Sequence, residues 1–202
     1  MKKIALLISA LISTSVYAQF ETTTESAKFG PGQVVTLEKT NQFDLIGHAV
    51  KVGDLMPSAQ LMTSDLQPYD TSAESKKIKI YSVLTSVDTP VCVQQAIDLS
   101  AYIKAHGNEH KDIEFYAISA DTPFAQQRFI KEHSLSGVTY LSDASEHQFG
   151  LKTGSQIQQL GLLTRSIIVT DINNKITYIQ RVPELTSIPD LVAAVKVADK
   201  NL

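Results

Sequence analysis

From residue 79 to the C-terminus, short β-rich runs alternate with segments of helical spacing. Lys79-Ile80-Tyr81-Ser82-Val83-Leu84 reads as a short strand, and a helix is predicted from Pro90 to about His106 through Val93, Ala96, Ile97, Ser100 and Ile103. Gly107 then stands as a stop signal. Ile113-Glu114-Phe115-Tyr116-Ala117-Ile118-Ser119 has the composition of a buried strand. Thr122-Pro123 opens a second helix carrying Phe124, Phe129 and Ile130. Val138-Thr139-Tyr140-Leu141 is a further strand, and a short helix is expected over 144–149. Repeated strand–helix units imply parallel strands covered by helices.

The last section changes character. Residues 165–170 and 175–182, joined by a turn at Asp171-Ile172-Asn173-Asn174, read as a β-hairpin. A closing helix is predicted from about Ile188 to Ala198, begun by Pro189 and carrying Leu191, Val192, Val195 and Val197. The hairpin adds antiparallel strands. The expected fold is therefore α/β and thioredoxin-like, with a central mixed β-sheet flanked by helices. Ahead of it, Val34-Val35-Thr36-Leu37 reads as a strand, and the alternation over 43–52 on both sides of Gly47 predicts an N-terminal β-hairpin.

The chain begins Met1-Lys2-Lys3, followed by an apolar run from Ile4 to about Val16 and by Val16-Tyr17-Ala18. A basic start, a short apolar stretch and small residues describe a signal peptide over 1–18, and the run is short for a membrane span. The expected organisation is a signal peptide (1–18), a polar lead-in (19–40) and one domain (41–202), with the mature protein in the periplasm and off the membrane. The formal net charge is −3, and loss of Lys2 and Lys3 makes the mature chain more acidic, which argues against nucleic acid as a partner.

Only one cysteine is present, Cys92. In an exported protein a lone thiol is a sheltered core residue, an intermolecular link or a reactive group. The absence of a CxxC pair excludes a dithiol oxidoreductase. With Thr89 as N-cap and Pro90 at the first helical position, Cys92 falls in the first helical turn. Unpaired backbone N–H groups and the helix dipole favour an anion there, which would make the thiol a nucleophile. The competing reading is a small buried hydrophobe beside an ordinary cap. The loop after residues 79–84 puts Cys92 at the C-terminal edge of a parallel strand, where open α/β sheets bind ligands. Arginine is scarce: Arg128, Arg165 and Arg181 are the only three among 18 basic residues. Arg165 opens an apolar strand, so it is either a solvated strand end or a guanidinium with a partner to hold.

These segments resemble a known family. Ser86-Val87-Asp88-Thr89-Pro90-Val91-Cys92 is similar to the peroxidatic segment of the bacterial thiol peroxidases, a subgroup of the peroxiredoxins. Ile118-Ser119-Ala120-Asp121-Thr122-Pro123-Phe124-Ala125-Gln126-Gln127-Arg128-Phe129 resembles that subgroup more closely still. Gly161-Leu162-Leu163-Thr164-Arg165-Ser166-Ile167-Ile168-Val169 looks like its arginine-bearing strand. The likeness extends over about residues 43–200.

The resemblance implies a peroxiredoxin domain that reduces hydrogen peroxide and organic hydroperoxides through a sulfenic acid. It implies Cys92 as the peroxidatic cysteine, Thr89 as the hydroxyl that contacts the peroxide, and Arg165 as the group that activates the thiol and polarises the O–O bond. No cofactor or metal is implied. Three residues depart from the family pattern. Thr85 stands where a proline is usual, Pro90 where glycine is frequent, and Ile130 where the resolving cysteine follows Arg-Phe. Without that second thiol the expected cycle uses one cysteine and an outside reductant, a thioredoxin-like protein or a small thiol. A homodimer is also implied. A thioredoxin-fold module that binds or senses without turnover is the other reading, favoured by Thr85 and Ile130.

The five histidines offer no tight ligand spacing: His106 and His110 stand i, i+4, but Gly107 interrupts the helix between them. Asp121-Thr122-Pro123 reads as a helix start rather than an acid catalyst.

Overall fold

The computed structural model describes residues 20–202, so the expected signal peptide at 1–18 lies outside the described residues. Among the described residues, β1 (Thr22–Thr23), β2 (Val34–Leu37), β3 (Asn41–Ile46), β4 (Gln60–Thr63) and β5 (Pro68–Asp70) come before the first helix. The alternating part follows with β6 (Ile78–Val83), α1 (Pro90–His106), β7 (Ile113–Ser119), α2 (Pro123–Glu132), β8 (Thr139–Ser142) and α3 (Gln148–Thr153). The chain closes with β9 (Gln156–Ile157), β10 (Leu162–Leu163), β11 (Ser166–Thr170), β12 (Ile176–Arg181), β13 (Ile188–Pro189) and α4 (Leu191–Asp199).

The main sheet has seven strands in the order β12-β11-β6-β7-β8-β4-β5. β6, β7 and β8 are parallel, and the strands on either side of them are antiparallel. The expected mixed sheet is therefore present, and its parallel strands are the three joined through α1 and α2. All six residues of β6 are buried, as expected for a central strand covered on both faces. On one face Ile78, Ile80, Ile167 and Val169 pack with Leu99 of α1 and Ala194 and Val195 of α4. On the other, Tyr81, Val83, Ile118, Leu141 and Ile168 pack with Phe149 of α3. Burying each such aliphatic side chain contributes about 1.5–3 kcal/mol. Val83, Ser119 and Ser142 end the three parallel strands at a common edge, and Ser166 at the start of β11 pairs with Val83 there.

Several expectations shift. The N-terminal hairpin exists, but β2 pairs with β3, and residues 48–52 form no return strand. Gly47 sets that limit. It sits at φ +104, and a Cβ there would lie 2.4 Å from the Leu151 carbonyl oxygen, so β3 ends where the chain presses onto α3. Residues 19–40 are not a free lead-in within their described part. β1 pairs with β13, Phe29 is in the main core, and Val35 packs with Leu45, Ile157 and Leu185. The short helix starts at Gln148 rather than at 144, because the Asp143 carboxylate accepts from the Phe149 and Gly150 amides, each at 2.9 Å. Pro189 does not open the last helix. It ends β13, and Asp190 caps α4 by accepting from the Ala193 amide at 2.9 Å. The pairs β4/β5 and β9/β10 carry no sequence signal strong enough to have been expected.

Arg181 ties the N-terminal segment down. Its Nε donates to Lys28 O at 2.7 Å and its Nη1 to Val34 O at 3.2 Å. Burial lowers its pKa to about 10. Arg181→Leu leaves these partly buried carbonyls without that donor and empties a buried site, and a loss of about 1–3 kcal/mol is expected. Urea unfolding measures the loss, and limited proteolysis should cut first ahead of β2.

Candidate active site

Thr89 and Cys92 at the start of α1 and Arg165 just ahead of β11 stand on segments that leave the common sheet edge. Thr89 is the N-cap of α1 with extended backbone (φ −108, ψ 139), and Pro90 follows it. Cys92 is the third helical residue and 0% exposed. It packs with Leu84, Val87, Ala96, Phe129 and Tyr140 in an apolar cluster, and Ile130 is half-buried against the same cluster. Burial pushes the Tyr140 hydroxyl far above its ordinary range, so it stays protonated.

The loop before α1 turns back on the thiol. The Ser86 amide donates to Cys92 Sγ at 3.4 Å. Thr89 does not cap with its side chain; its hydroxyl donates to Ser86 O at 3.2 Å, leaving the oxygen lone pairs free to accept. Pro90 has no N–H, and the Val91 and Cys92 amides precede the first helical hydrogen bond, which runs from the Val93 amide to Thr89 O at 3.0 Å. The site thus combines an apolar wall with the Ser86 N–H aimed at the sulfur and the free first-turn N–H groups of α1.

Arg165 is 1% exposed, which removes the reading of a solvated strand end. Its Nη1 donates to Gln95 Oε1 at 2.6 Å, and its Nε and Nη2 donate to Leu185 O at 3.2 and 3.1 Å. Gln95 also donates to Ser82 Oγ at 2.8 Å. Gln95 stands one turn after Cys92, so the guanidinium is held against the first two turns of α1. Among the described residues Arg165 forms no ion pair, and three of its hydrogen bonds go to neutral acceptors. With no carboxylate partner among the described residues, the guanidinium has N–H donors to spare for an incoming group.

Gln95 was missed in the sequence. The available signal was a glutamine at the third position after Cys92 on the helix face that carries Ala96 and Leu99. The departures from the family pattern also have places. Thr85 is 5% exposed, and its hydroxyl has no hydrogen-bond partner among the described residues. His110 faces Asp199, with Nδ1 at 3.1 Å from the carboxylate, and His106 faces Glu109 at 3.5 Å.

A buried thiol on the first turn of a helix, at the C-terminal edge of parallel strands in this sheet, defines a thiol redox protein of thioredoxin-like fold. Comparison with known proteins narrows the class. The family model described as Redoxin matches residues 51–195. A thiol peroxidase of Clostridium acetobutylicum is 35% identical over 159 residues, covering 79% of this chain and 89% of that protein. A thiol peroxidase of Bacillus subtilis is 36% identical over 154 residues, covering 76% and 90%. Among solved structures, a peroxiredoxin-like protein from Aquifex aeolicus superposes with a TM-score of 0.77 at 28% identity, over 86% of this chain and 99% of that one. The chain belongs to the redoxin family and, within it, to the thiol peroxidases.

Proposed function

We propose that the protein reduces hydrogen peroxide and organic hydroperoxides at Cys92 and is recycled by an external thiol. The observation that supports this reading is the fully buried Cys92 in the first turn of α1, with the acceptor hydroxyl of Thr89 three residues ahead of it and the buried Arg165 guanidinium bonded to Gln95 three residues after it. The Cys92 thiolate attacks the terminal peroxide oxygen in line with the O–O bond. The S–O bond forms as the O–O bond breaks, and the departing alkoxide or hydroxide takes up a proton to leave as alcohol or water. Thr89 accepts the peroxide O–H because its own proton is committed to Ser86 O. Arg165 and the first-turn amides stabilise the charge that moves onto the departing oxygen.

The product is a sulfenic acid at Cys92. Cys92 is the chain's only cysteine, so no intramolecular disulfide follows. One external thiol condenses with the sulfenic acid, releasing water and forming a mixed disulfide. A second thiol displaces Cys92 and leaves as the disulfide. A thioredoxin-like protein or a small thiol fits this role. We read the working form as a homodimer in the periplasm, delivered by the signal peptide at 1–18. N-terminal sequencing of the periplasmic fraction tests the cleavage after Ala18.

Peroxide without reductant should raise the mass of the mature protein by one oxygen at Cys92, and excess peroxide by two, as sulfenic passes to sulfinic acid. Intact-mass spectrometry reads both steps. A mass unchanged at several equivalents of organic hydroperoxide would sink the peroxidase reading and leave a non-catalytic binding module.

A further inference from the structure

The loop that carries the site is held from outside by one carboxylate that the catalytic steps above do not use. Asp121 follows β7 and is half-buried. Its Oδ1 accepts from Ser86 Oγ at 2.9 Å, and its Oδ2 accepts from the Val87 amide at 2.8 Å. The Asp121 carbonyl is itself fixed by Oγ of Ser142, the last residue of β8, at 2.6 Å. Asp121 is thus braced by one parallel strand end and grips the loop that follows another.

Ser86 is the hub of that loop. Its amide donates to Cys92 Sγ at 3.4 Å, and its carbonyl accepts from the Thr89 hydroxyl and amide, each at 3.2 Å. Its Oγ, besides donating to Asp121, accepts from the Asp88 amide at 3.3 Å. The single backbone orientation of Ser86 therefore does two things. It aims an N–H at the sulfur, and it takes the Thr89 proton so that the Thr89 oxygen is left as an acceptor. Two hydrogen bonds from adjacent residues to one carboxylate restrict that orientation far more than one would, because the planar carboxylate fixes direction as well as distance.

We infer that Asp121 is a positioning residue of the peroxidase site, which sets the Ser86 peptide and through it the donor at Cys92 Sγ and the acceptor face of Thr89. The other charged group facing this loop, Arg128, reaches Asp88 only at 3.6 Å between two exposed side chains, and an exposed pair of that kind contributes little. The inference rests on the peroxidase reading, and it assigns Asp121 no contact with peroxide.

The test uses the full mature protein with Asp121→Asn, Asp121→Ala and Ser86→Ala. Two rates are measured on each: oxidation of Cys92 by hydrogen peroxide, and alkylation of Cys92 by iodoacetamide. The two should diverge. Peroxide oxidation needs Thr89 and the Ser86 amide in place, and it should fall at least tenfold in Asp121→Ala and by less in Ser86→Ala, which keeps the Val87 bond. Alkylation goes through the thiolate but does not use Thr89, and it is limited by access to a thiol that is buried while the loop is held, so it should stay level or rise as the loop loosens. Asp121→Asn keeps the side-chain volume and one acceptor oxygen and should lie between wild type and Asp121→Ala. Peroxide rates within twofold of wild type in both Asp121 variants overturn the inference. A parallel fall of both rates, with loss of the folded circular dichroism signal, overturns it too, because it marks Asp121 as a general structural residue. Failure of the underlying peroxidase reading shows separately, as a wild-type protein that does not gain oxygen. In that case exchange of the Ser86 and Val87 amides with deuterated water still decides whether Asp121 holds the loop: unchanged protection in Asp121→Ala overturns it.

Discussion

Arg165→Met should slow peroxide oxidation of Cys92 by about 10²–10³-fold, roughly 3–4 kcal/mol of barrier, the loss expected for one preorganised donor at the developing charge. The same substitution should also lower stability. Arg165 is buried, and its removal strands Gln95 Oε1 and Leu185 O as buried acceptors with no donor. An orphaned acceptor of this kind costs about 1–3 kcal/mol. Stopped-flow oxidation and urea unfolding on the same preparation separate the two effects, since the rate loss should persist well below the unfolding transition. Arg165→Lys keeps the charge but not the planar fork that reaches Gln95 and Leu185 O together, and it should recover only part of each loss. A Met variant that oxidises at the wild-type rate would reduce Arg165 to a packing and hydrogen-bonding residue.

Ile130→Cys should change the oxidised product altogether. In the wild type one equivalent of peroxide leaves a sulfenic acid and excess leaves a sulfinic acid. In the variant, one equivalent should yield an intramolecular disulfide with Cys92, and further peroxide should add no oxygen to it. Ile130 belongs to α2 and packs against the cluster that contains Cys92, so the new thiol lies on the correct side of the helix. The sulfur of Cys92 is nevertheless fully buried, and a bridge needs the two Cα atoms within about 7 Å. We expect the bridge to need the first turn of α1 to open and release the buried sulfur. Pro90 holds the helical start, and the Thr89 and Asp121 bonds to Ser86 hold the loop before it. The disulfide should form slowly, and Pro90→Gly should accelerate it. Non-reducing electrophoresis and intact mass follow the reaction. If no bridge forms even with glycine at 90, the site does not open in the way that an attack from α2 demands.

Both experiments turn on features that were unequally visible in the chain. The start of α1 was legible because its signals are local: a cap residue, a proline at the first position and an apolar period after it. The 17-residue helix Pro90–His106 and the strand Ile113–Ser119 matched their expected bounds for that reason. The lone cysteine, the scarce arginines and the Ser-Ala-Asp string were likewise present as residue identities. Short strands such as β9 and β10, two residues each, were not legible, because a pair of residues has no period and exists only through its partners. The hairpin of β2 and β3 was misplaced since Gly47 resembles a turn in sequence, whereas its φ +104 serves a close approach to Leu151.

The sequence by itself determined the α/β alternation, the helix that begins two residues before the only thiol, and the absence of a second cysteine to resolve it. Tertiary structure alone decided that Arg165 is buried rather than solvated, that Gln95 holds it across 70 residues of chain, and that Asp121 reaches back 35 residues to Ser86. The division has a physical cause. Helix starts and strand periods are set by neighbours a few positions away. Whether a charged side chain keeps its hydration, or exchanges it for a carbonyl and an amide oxygen, depends on which distant segments the packed sheet brings to one edge.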